Sequence, residues 1–183
     1  MDVVARAKNI VISPKTEWPV IAAEPGDTAS LYTGYIMILA AIGPIASLLA
    51  YAVNGMLSGG LMLAIVSYVL SLIIVYILAM IFGKLAPSFG GRDDMAQALK
   101  YAAYASTAGW LGGVFQLIPA LGILSVLCSL YGIYLLYTGA NPMMAVPQEK
   151  SVGYTAVAVV VVIVAFVVVG FIIGAIVGGA LMI

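Results

Sequence analysis

Tyrosines on either side of Pro119 are the side chains of this sequence whose spacing most directly suggests chemistry. If the chain turns near Pro119, Tyr101 and Tyr137 are each 18 residues from the turn, and Tyr104 and Tyr134 are each 15 residues from it. Because a helix rises 1.5 Å per residue, the two pairs are expected at matching depths of about 27 and 22 Å. Phenol hydroxyls gathered in this way could bind a lipid headgroup or a small solute by hydrogen bonding.

Two interpretations of these tyrosines stay open. In the first, Tyr104, Tyr131 and Tyr134 line a polar crevice that opens toward the inner side of a membrane. In the second, Tyr101 and Tyr137 belong to an aromatic belt at the inner interface, and the deeper tyrosines pack in the core with their hydroxyls bonded locally. The belt is the ordinary use of tyrosine at this depth, and the crevice is the functional alternative.

A polar stretch with two adjacent carboxylates, Asp93 and Asp94, precedes the apolar segment that begins at residue 96. Asp94 followed three residues later by Gln97 resembles a capping box, in which the two side chains satisfy the free amides of a helix start. A phosphate would need those same amides and would be repelled by the carboxylates. The pattern favours a helix cap, with a divalent cation shared with Glu24 or Asp27 as the alternative.

Glycines recur at helical spacing in two of the apolar segments. Gly170, Gly174 and Gly178 are each four residues apart, and Gly109 and Gly113 repeat the spacing once. Small residues at this spacing make a flat strip that another helix can approach closely. The strip is expected to pack against a helix of the same subunit, and a homodimer seam is the alternative.

The residue types that most catalytic sites need are scarce. Histidine is absent and Cys128 is the single cysteine, so no serine or cysteine nucleophile can be paired with a histidine base. The long apolar segments contain no Asp, Glu, Arg or His, although proton relays and ion-coupled carriers place charge in the membrane. We therefore expect no enzyme, no metal and no cofactor. Seven basic residues balanced by seven acidic ones also predict no nucleic-acid partner.

The composition and the positions of the charges define the elements that hold these residues. Of the 183 residues 64% are hydrophobic and 8% charged, whereas about a quarter of a soluble domain is charged. Asp27 and Lys84 enclose 56 uncharged residues, Lys100 and Glu149 enclose 48, and a further uncharged stretch follows Lys150. Since a membrane helix needs about 20 residues, these stretches predict two, two and one spans. The spans are expected at residues 31–53, 61–82, 96–117, 120–138 and 154–179, with a bend at Gly43-Pro44.

The basic residues predict the orientation of the spans. With five spans they all fall on one side, which the positive-inside rule assigns to the cytoplasm: Arg6, Lys8, Lys15, Lys84, Arg92, Lys100 and Lys150. The N-terminus is then inside and the C-terminus outside.

Residues 1–30 are expected to form a cytoplasmic segment with its own helix. Val3, Val4, Ala7, Ile10 and Val11 fall on one face of a helical wheel, which predicts a short amphipathic helix at the inner membrane surface. The predicted fold is therefore an all-α polytopic membrane protein, with five transmembrane helices in residues 31–183 preceded by an amphipathic interfacial helix.

Several short motifs, in order, carry a resemblance to a known family over roughly residues 10–175. They include Leu31-Tyr32 at the opening of the first span, Gly90-Gly91, and the longer stretches at residues 98–106, 118–122 and 134–139, which contain Tyr101, Tyr104, Tyr134 and Tyr137. In these features the sequence resembles the Ypt-interacting protein (Yip) domain family of five-span membrane proteins with a cytoplasmic N-terminus.

The resemblance implies a five-span membrane protein, and the scarcity of catalytic residue types leads us to expect one without enzymatic activity. Eukaryotic members are associated with Rab-type GTPases and carry an Asp-Leu-Tyr-Gly-Pro motif, of which this chain keeps only Leu31 and Tyr32. This departure argues against a GTPase partner and for a prokaryotic member in the plasma (inner) membrane. The expected function is that of a membrane adaptor or organiser, acting through helix packing and cytoplasmic loops among membrane lipids, with itself or another protein as partner. A small permease or lipid-handling protein that uses the tyrosine crevice is the alternative.

Overall fold

The computed structural model describes residues 2–180, except for the side chains of residues 119 and 177–180. The described residues are helical and contain no strand, which confirms the all-α prediction. The helices of the bundle and the segment before it are α1 Val3–Ile12, α2 Pro14–Ala23, α3 Thr28–Val53, α4 Leu57–Leu85, α5 Met95–Ala105, α6 Thr107–Gly112, α7 Gly122–Met144 and α8 Ser151–Ala180.

Four helical segments in the described part of the chain are long and apolar enough to cross a membrane: Thr28–Val53, Leu57–Phe89, Gly122–Met144 and Gln148–Ile176. Each exceeds the roughly 20 residues that span a hydrocarbon core. Their outward faces are lined by exposed aliphatic side chains. Exposure of these faces to hydrocarbon tails carries no free-energy penalty, unlike their exposure to water. A composition too apolar for a soluble domain therefore suits a helical bundle surrounded by lipid.

The segment expected as the third span, residues 96–117, is built differently from these four. Helix α5 ends at Ala105, Ser106 forms a turn, α6 ends at Gly112, and a tighter 3-10 helix follows over Gly113–Leu117. Every residue from 98 to 105 is buried, because α5 packs against α4 and α7. Its alanines and tyrosines therefore contact protein, which explains why this segment is less apolar than its neighbours.

Helix α3 bends where its proline predicts. The helix is interrupted at Ala41, three residues before Pro44, whose ring clashes with the carbonyl of the residue four positions earlier. Just beyond the break, Gly43 lies against Gly113. A Cβ added to Gly113 would come within 2.7 Å of the Gly43 Cα. The two backbones are in contact at this point. A side chain on Gly113 would separate α3 from the 3-10 helix that follows α6, whereas a Cβ on Gly43 would make only ordinary contacts at 3.6–3.7 Å.

The other glycines of the predicted strips have fewer neighbours. A Cβ on Gly109 would lie 3.8 Å from the Ser129 hydroxyl, which is ordinary contact. A Cβ on Gly170 or Gly174 would meet no atom within 4 Å, so these two glycines do not pack against another helix of the subunit as expected. Gly178 lies outside the residues whose side-chain surroundings are described.

The reason lies in the course of α8, which packs against the bundle only through its first turns. Tyr154 and Ala158 are buried against α4 and α7, whereas Phe166 and Phe171 farther along are exposed, the latter to 76%. Gly170 and Gly174 follow the last turn that contacts the bundle and line a shallow apolar groove on the exposed part of the helix.

The N-terminal helices α1 and α2 fold back onto one end of the bundle. Trp18 and Ile21 of α2, with Ala7 and Ile10 of α1, are buried in the same core as the membrane helices. The apolar face predicted for α1 is only partly covered, since Val4 is 78% exposed. Docking of these helices largely encloses the side chains of Arg6 and Glu17.

Candidate functional site

A cavity of about 800 Å³, lined by charged and apolar residues, lies between the N-terminal helices and the bundle. Helices α1 and α2, the connection after α2, the first turns of α3 and helix α5 each contribute to its lining. Six charged residues line it: Asp2, Arg6, Glu17, Glu24, Asp27 and Lys100. Only α5 and the start of α3 belong to the predicted membrane helices, so the N-terminal segment supplies most of the charge.

Arg6 is held by two carboxylates, those of Glu17 in α2 and of Glu24 directly after it. Its guanidinium forms ion pairs with Glu17 and Glu24 and lies 6.0 Å from the centroid of the Tyr104 ring, within reach of a cation–π contact. Burial alone would lower the pKa of Arg6, but the nearby carboxylate of Glu24, with that of Glu17, outweighs burial and the pKa is raised. The guanidinium therefore stays charged and ties α1 to α2.

Lys100 closes the C-terminal end of α2. Its side chain is buried, with 4% of the residue exposed, and its ammonium group donates to the backbone carbonyls of Ile21 at 2.9 Å and Glu24 at 2.8 Å. The Gln97 amide donates to the carbonyl of Ala22 at 2.9 Å. The last carbonyls of a helix lack partners within the helix and carry a partial negative charge. Two side chains of α5 thus satisfy and neutralise the end of α2.

Only one of the two hydrogen bonds of the predicted capping box is found at the start of α5. The carboxylate of Asp94 accepts from the backbone amide of Gln97 at 3.1 Å, as an N-cap requires. The Gln97 side chain does not return to Asp94, since its amide donates to Ala22. The residue expected to complete a local cap therefore joins two helices that are distant in the sequence.

The three tyrosines expected to form a crevice do not share the cavity. Tyr104 lines it, and its ring lies 4.6 Å from that of Tyr35 in α3. Tyr131 donates to the carbonyl of Val11 at 2.7 Å and is not part of the lining. Tyr134 packs beside Tyr131 and is 39% exposed. The crevice interpretation is therefore corrected, because α1 lies where the crevice would open and supplies the polar lining itself.

Tyr101 and Tyr137, which were expected in an interfacial belt, differ in their exposure. Tyr101 is fully buried, donates to the carbonyl of Leu136 at 2.6 Å and lies 5.8 Å from the Trp18 ring. Tyr137 is 41% exposed on α7. Tyr101 is thus a core residue and not a belt residue, because α2 covers the end of the bundle at its level.

The motif residues Leu31 and Tyr32 stand at a local irregularity of α3. The helix widens into a π-helical turn over Tyr32–Ile36, a feature often found at functional sites. Leu31 is buried and lines the cavity, whereas the Tyr32 hydroxyl donates to the carbonyl of Leu72 in α4 at 3.0 Å. Leu31 therefore belongs to the cavity, and Tyr32 holds α3 against α4.

Sequence reasoning missed the charged residues that define this site. Arg6, Glu17 and Glu24 are distributed over two helices separated by Ser13-Pro14, and no local spacing brings them together. One signal was available in Lys100, a basic residue inside a predicted span that required a buried partner. Its partners are backbone carbonyls, which the sequence does not mark.

The apolar helices and the buried helical core define the class: the chain is an all-helical integral membrane protein. The model of the Yip1 domain matches residues 8–182, so the chain belongs to the Yip1 domain family, which confirms the resemblance found in its motifs. It is similar to the Inner membrane protein YohC of Escherichia coli strain K12, with 25% identity over 166 residues that cover 81% of this chain and 83% of the relative. The protein of the same name from Escherichia coli O6:H1 matches to the same extent. No solved structure matches the chain.

Proposed function

We propose that this chain is a non-enzymatic adaptor of the plasma (inner) membrane, whose cytoplasmic face is the surface that binds a protein partner. The location rests on the family and on the bacterial relatives, which are named as inner membrane proteins. In this proposal the segment 95–117 crosses the membrane as the central one of five spans. The N-terminus and all seven basic residues then lie in the cytoplasm.

The packing of the connections supports this topology. The amide of Arg92, before α5, donates to the carbonyl of Met144 at the end of α7 at 2.8 Å. A Cβ on Gly91 would lie 2.5 Å from the same carbonyl oxygen, so the two connections touch. The start of α5 and the end of α7 therefore lie at the same end of the bundle, as five antiparallel crossings require.

The adaptor proposal rests on one observation: two connections between helices and the N-terminal segment are joined into one surface. The connection 86–94 contacts the connection after α7 through Arg92 and Gly91, and α5 holds the N-terminal segment through Lys100 and Gln97. Flexible loops would lose conformational freedom when a partner binds, and preorganised ones lose little. A rigid polar face at one end of an apolar helical bundle is suited to the recognition of another protein.

The charges on this face are mixed. Lys84 and Asp93 form an exposed ion pair at 2.6 Å, and Arg92, Glu149 and Lys150 are also exposed. Charges of both signs at a rim give specificity and steer encounter more than they give affinity. Exposed Val4 and Ile12 of α1 border the face, and we place them in the headgroup layer, where an amphipathic helix contributes binding to lipid.

The exposed part of α8 supplies a second surface for assembly within the membrane. Gly170 and Gly174 line an apolar groove that no described residue of the subunit occupies. Helices associate in lipid through such small-residue faces. We assign this groove to self-association of the chain.

Photocrosslinking in living cells tests the adaptor proposal. A photoreactive amino acid at exposed Ser88, on the proposed cytoplasmic face, is compared with one at exposed Ser58, at the opposite end of the bundle. We expect a discrete protein adduct from position 88 and none from position 58, and we expect reversal of the rim charge by Arg92→Glu to reduce the adduct. Adducts with lipid alone, or the same adducts from both positions, would refute the adaptor role.

A further inference from the structure

We propose that the cavity between the N-terminal helices and the bundle binds a primary ammonium group. The six charged residues that line it in the described part of the chain are four carboxylates and two cations, with a summed formal charge of −2. The inference goes beyond the adaptor proposal and does not depend on it, since it concerns a small ligand held on the inner side of the N-terminal helices.

Both cations of the cavity are already committed to protein partners. Arg6 is divided between Glu17 and Glu24, and Lys100 donates to two backbone carbonyls at the end of α2. An anion could be bound only by taking these groups from their partners. That exchange would leave a buried carboxylate or buried carbonyls without compensation, which is costly.

The carboxylates, by contrast, keep acceptor capacity. Asp2 and Asp27 cap their helices through Oδ1 alone, and Glu17 and Glu24 pair with Arg6 through Oε1 alone. Within the described chain, the second oxygen of each carboxylate accepts no hydrogen bond from protein. Among the described residues, the cavity therefore offers up to four anionic acceptors and no uncommitted cationic donor.

A ligand that matches this lining must bring positive charge and several N–H donors together. A primary ammonium group has three donors on a compact charge. A quaternary ammonium group carries the same charge but has no donor, so it would leave the carboxylate oxygens without hydrogen bonds. The hydrogen-bonding pattern thus selects the primary ammonium over its methylated counterpart.

Two sources can supply this group, a soluble amine and the headgroup of an aminophospholipid. Leu31 and Gly34 at the start of α3 form an apolar edge of the cavity, whose lining also includes Ala5, Val20 and Pro25. Such an edge gives a glycerol backbone or the start of an acyl chain a place to lie, which a soluble amine would not use.

Binding measurements on the purified full chain in detergent test the proposal. The probes are ethanolamine, short-chain phosphatidylethanolamine and short-chain phosphatidylcholine, with affinity read by native mass spectrometry and by shifts in melting temperature. We expect the phosphatidylethanolamine to bind at least about tenfold more tightly than the phosphatidylcholine, the value of one charge-assisted hydrogen bond. Binding of ethanolamine as well would show that the ammonium suffices, and binding of the lipid alone would show that the headgroup is recognised in its lipid. Equal binding of both lipids, or binding of neither amine, would overturn the proposal.

A charge-neutral variant separates binding from folding. The double substitution Asp2→Asn and Asp27→Asn removes two carboxylates but keeps the caps of α1 and α3, because asparagine caps as well as aspartate. We expect it to melt like the wild type and to bind phosphatidylethanolamine about tenfold more weakly. Asp93→Asn, which removes a carboxylate outside the cavity, should leave binding unchanged. Loss of binding in the Asp93 variant but not in the double variant would place the ligand elsewhere and refute the site.

Discussion

The indole ring of Trp18 lies against Gly139, so closely that an added Cβ at Gly139 would come within 2.7 Å of the indole Cε2. The indole nitrogen donates to the Thr138 hydroxyl at 3.1 Å, which fixes the ring in this position. The two residues are 121 positions apart in the sequence. Their contact attaches the N-terminal helices to α7.

Substitution of Gly139 by alanine tests this attachment. The new methyl group would meet the Trp18 and Tyr101 rings at under 3 Å, and overpacking of this kind costs about 1–3 kcal/mol. We expect Gly139→Ala to lower the melting temperature and to speed proteolysis within residues 2–24. Gly59→Ala is the matched control, because a Cβ there would meet nothing within 4 Å. Equal behaviour of the two variants would show that Trp18 is not packed on α7.

The contact between α3 and the 3-10 helix that follows α6 gives a second prediction. A Cβ on Gly113 would lie 2.7 Å from the backbone of Gly43, and a backbone cannot rotate away as a side chain can. We expect Gly113→Ala to destabilise the protein in detergent by about 1–3 kcal/mol. Gly109→Ala should cost much less, since its Cβ would only touch the Ser129 hydroxyl at 3.8 Å. If Gly109→Ala proved the more harmful, the contact described here would be wrong.

Replacement of Lys100 tests the closure of α2. Lys100→Met keeps the length of the side chain but leaves two carbonyls at the end of α2 without their donor, at about 1–3 kcal/mol for each unsatisfied group. We expect a lower melting temperature and faster hydrogen exchange in the last turn of α2. Lys84→Met is the control, because its ion pair is exposed and such pairs contribute about 0–1 kcal/mol. A Lys100 variant as stable as the Lys84 variant would contradict the closure.

The groove on α8 gives a prediction about assembly. Because a Cβ on Gly170 or Gly174 would meet no described atom within 4 Å, Gly174→Ile should leave the folded monomer intact and should abolish self-association. Oligomer size is measured in detergent and in lipid nanodiscs, with Val160→Ile, at another exposed position of the same helix, as the control. An unchanged oligomer would exclude the groove as the seam, and a misfolded protein would restore the view that the strip packs internally.

Local signals in the sequence predicted the local structure. The Asp94 cap, the bend before Pro44 and the helical character of the long uncharged stretches depend on neighbouring residues, so they can be inferred without the fold. The turn at Ser106 was not predicted, because the residues around it read as one continuous apolar helix. The segment that contains it is stabilised mainly by its neighbours α4 and α7.

The candidate site depends on contacts that sequence spacing does not contain. Tyr101 was expected at an interface because its distance from Pro119 was known, but the covering helix α2 was not. Arg6 contacts Tyr104, nearly a hundred residues away in the sequence. Lys100 contacts the Glu24 carbonyl, 76 residues away. A charged N-terminal segment before a membrane domain reads as a solvated tail, and only its packing against the bundle makes it part of a site.

Cysteine accessibility is the most direct test of the five-span topology on which the functional proposals rest. Single cysteines at positions 56, 88, 118 and 149, in a chain with Cys128 replaced by alanine, are labelled in intact cells with a membrane-impermeant maleimide. Five crossings with a cytoplasmic N-terminus predict labelling from outside at 56 and 118 and protection at 88 and 149. Labelling at 149 with protection at 118 would mean that the segment 95–117 does not cross the membrane, and the rigid face assigned to the cytoplasm would then be divided between the two sides.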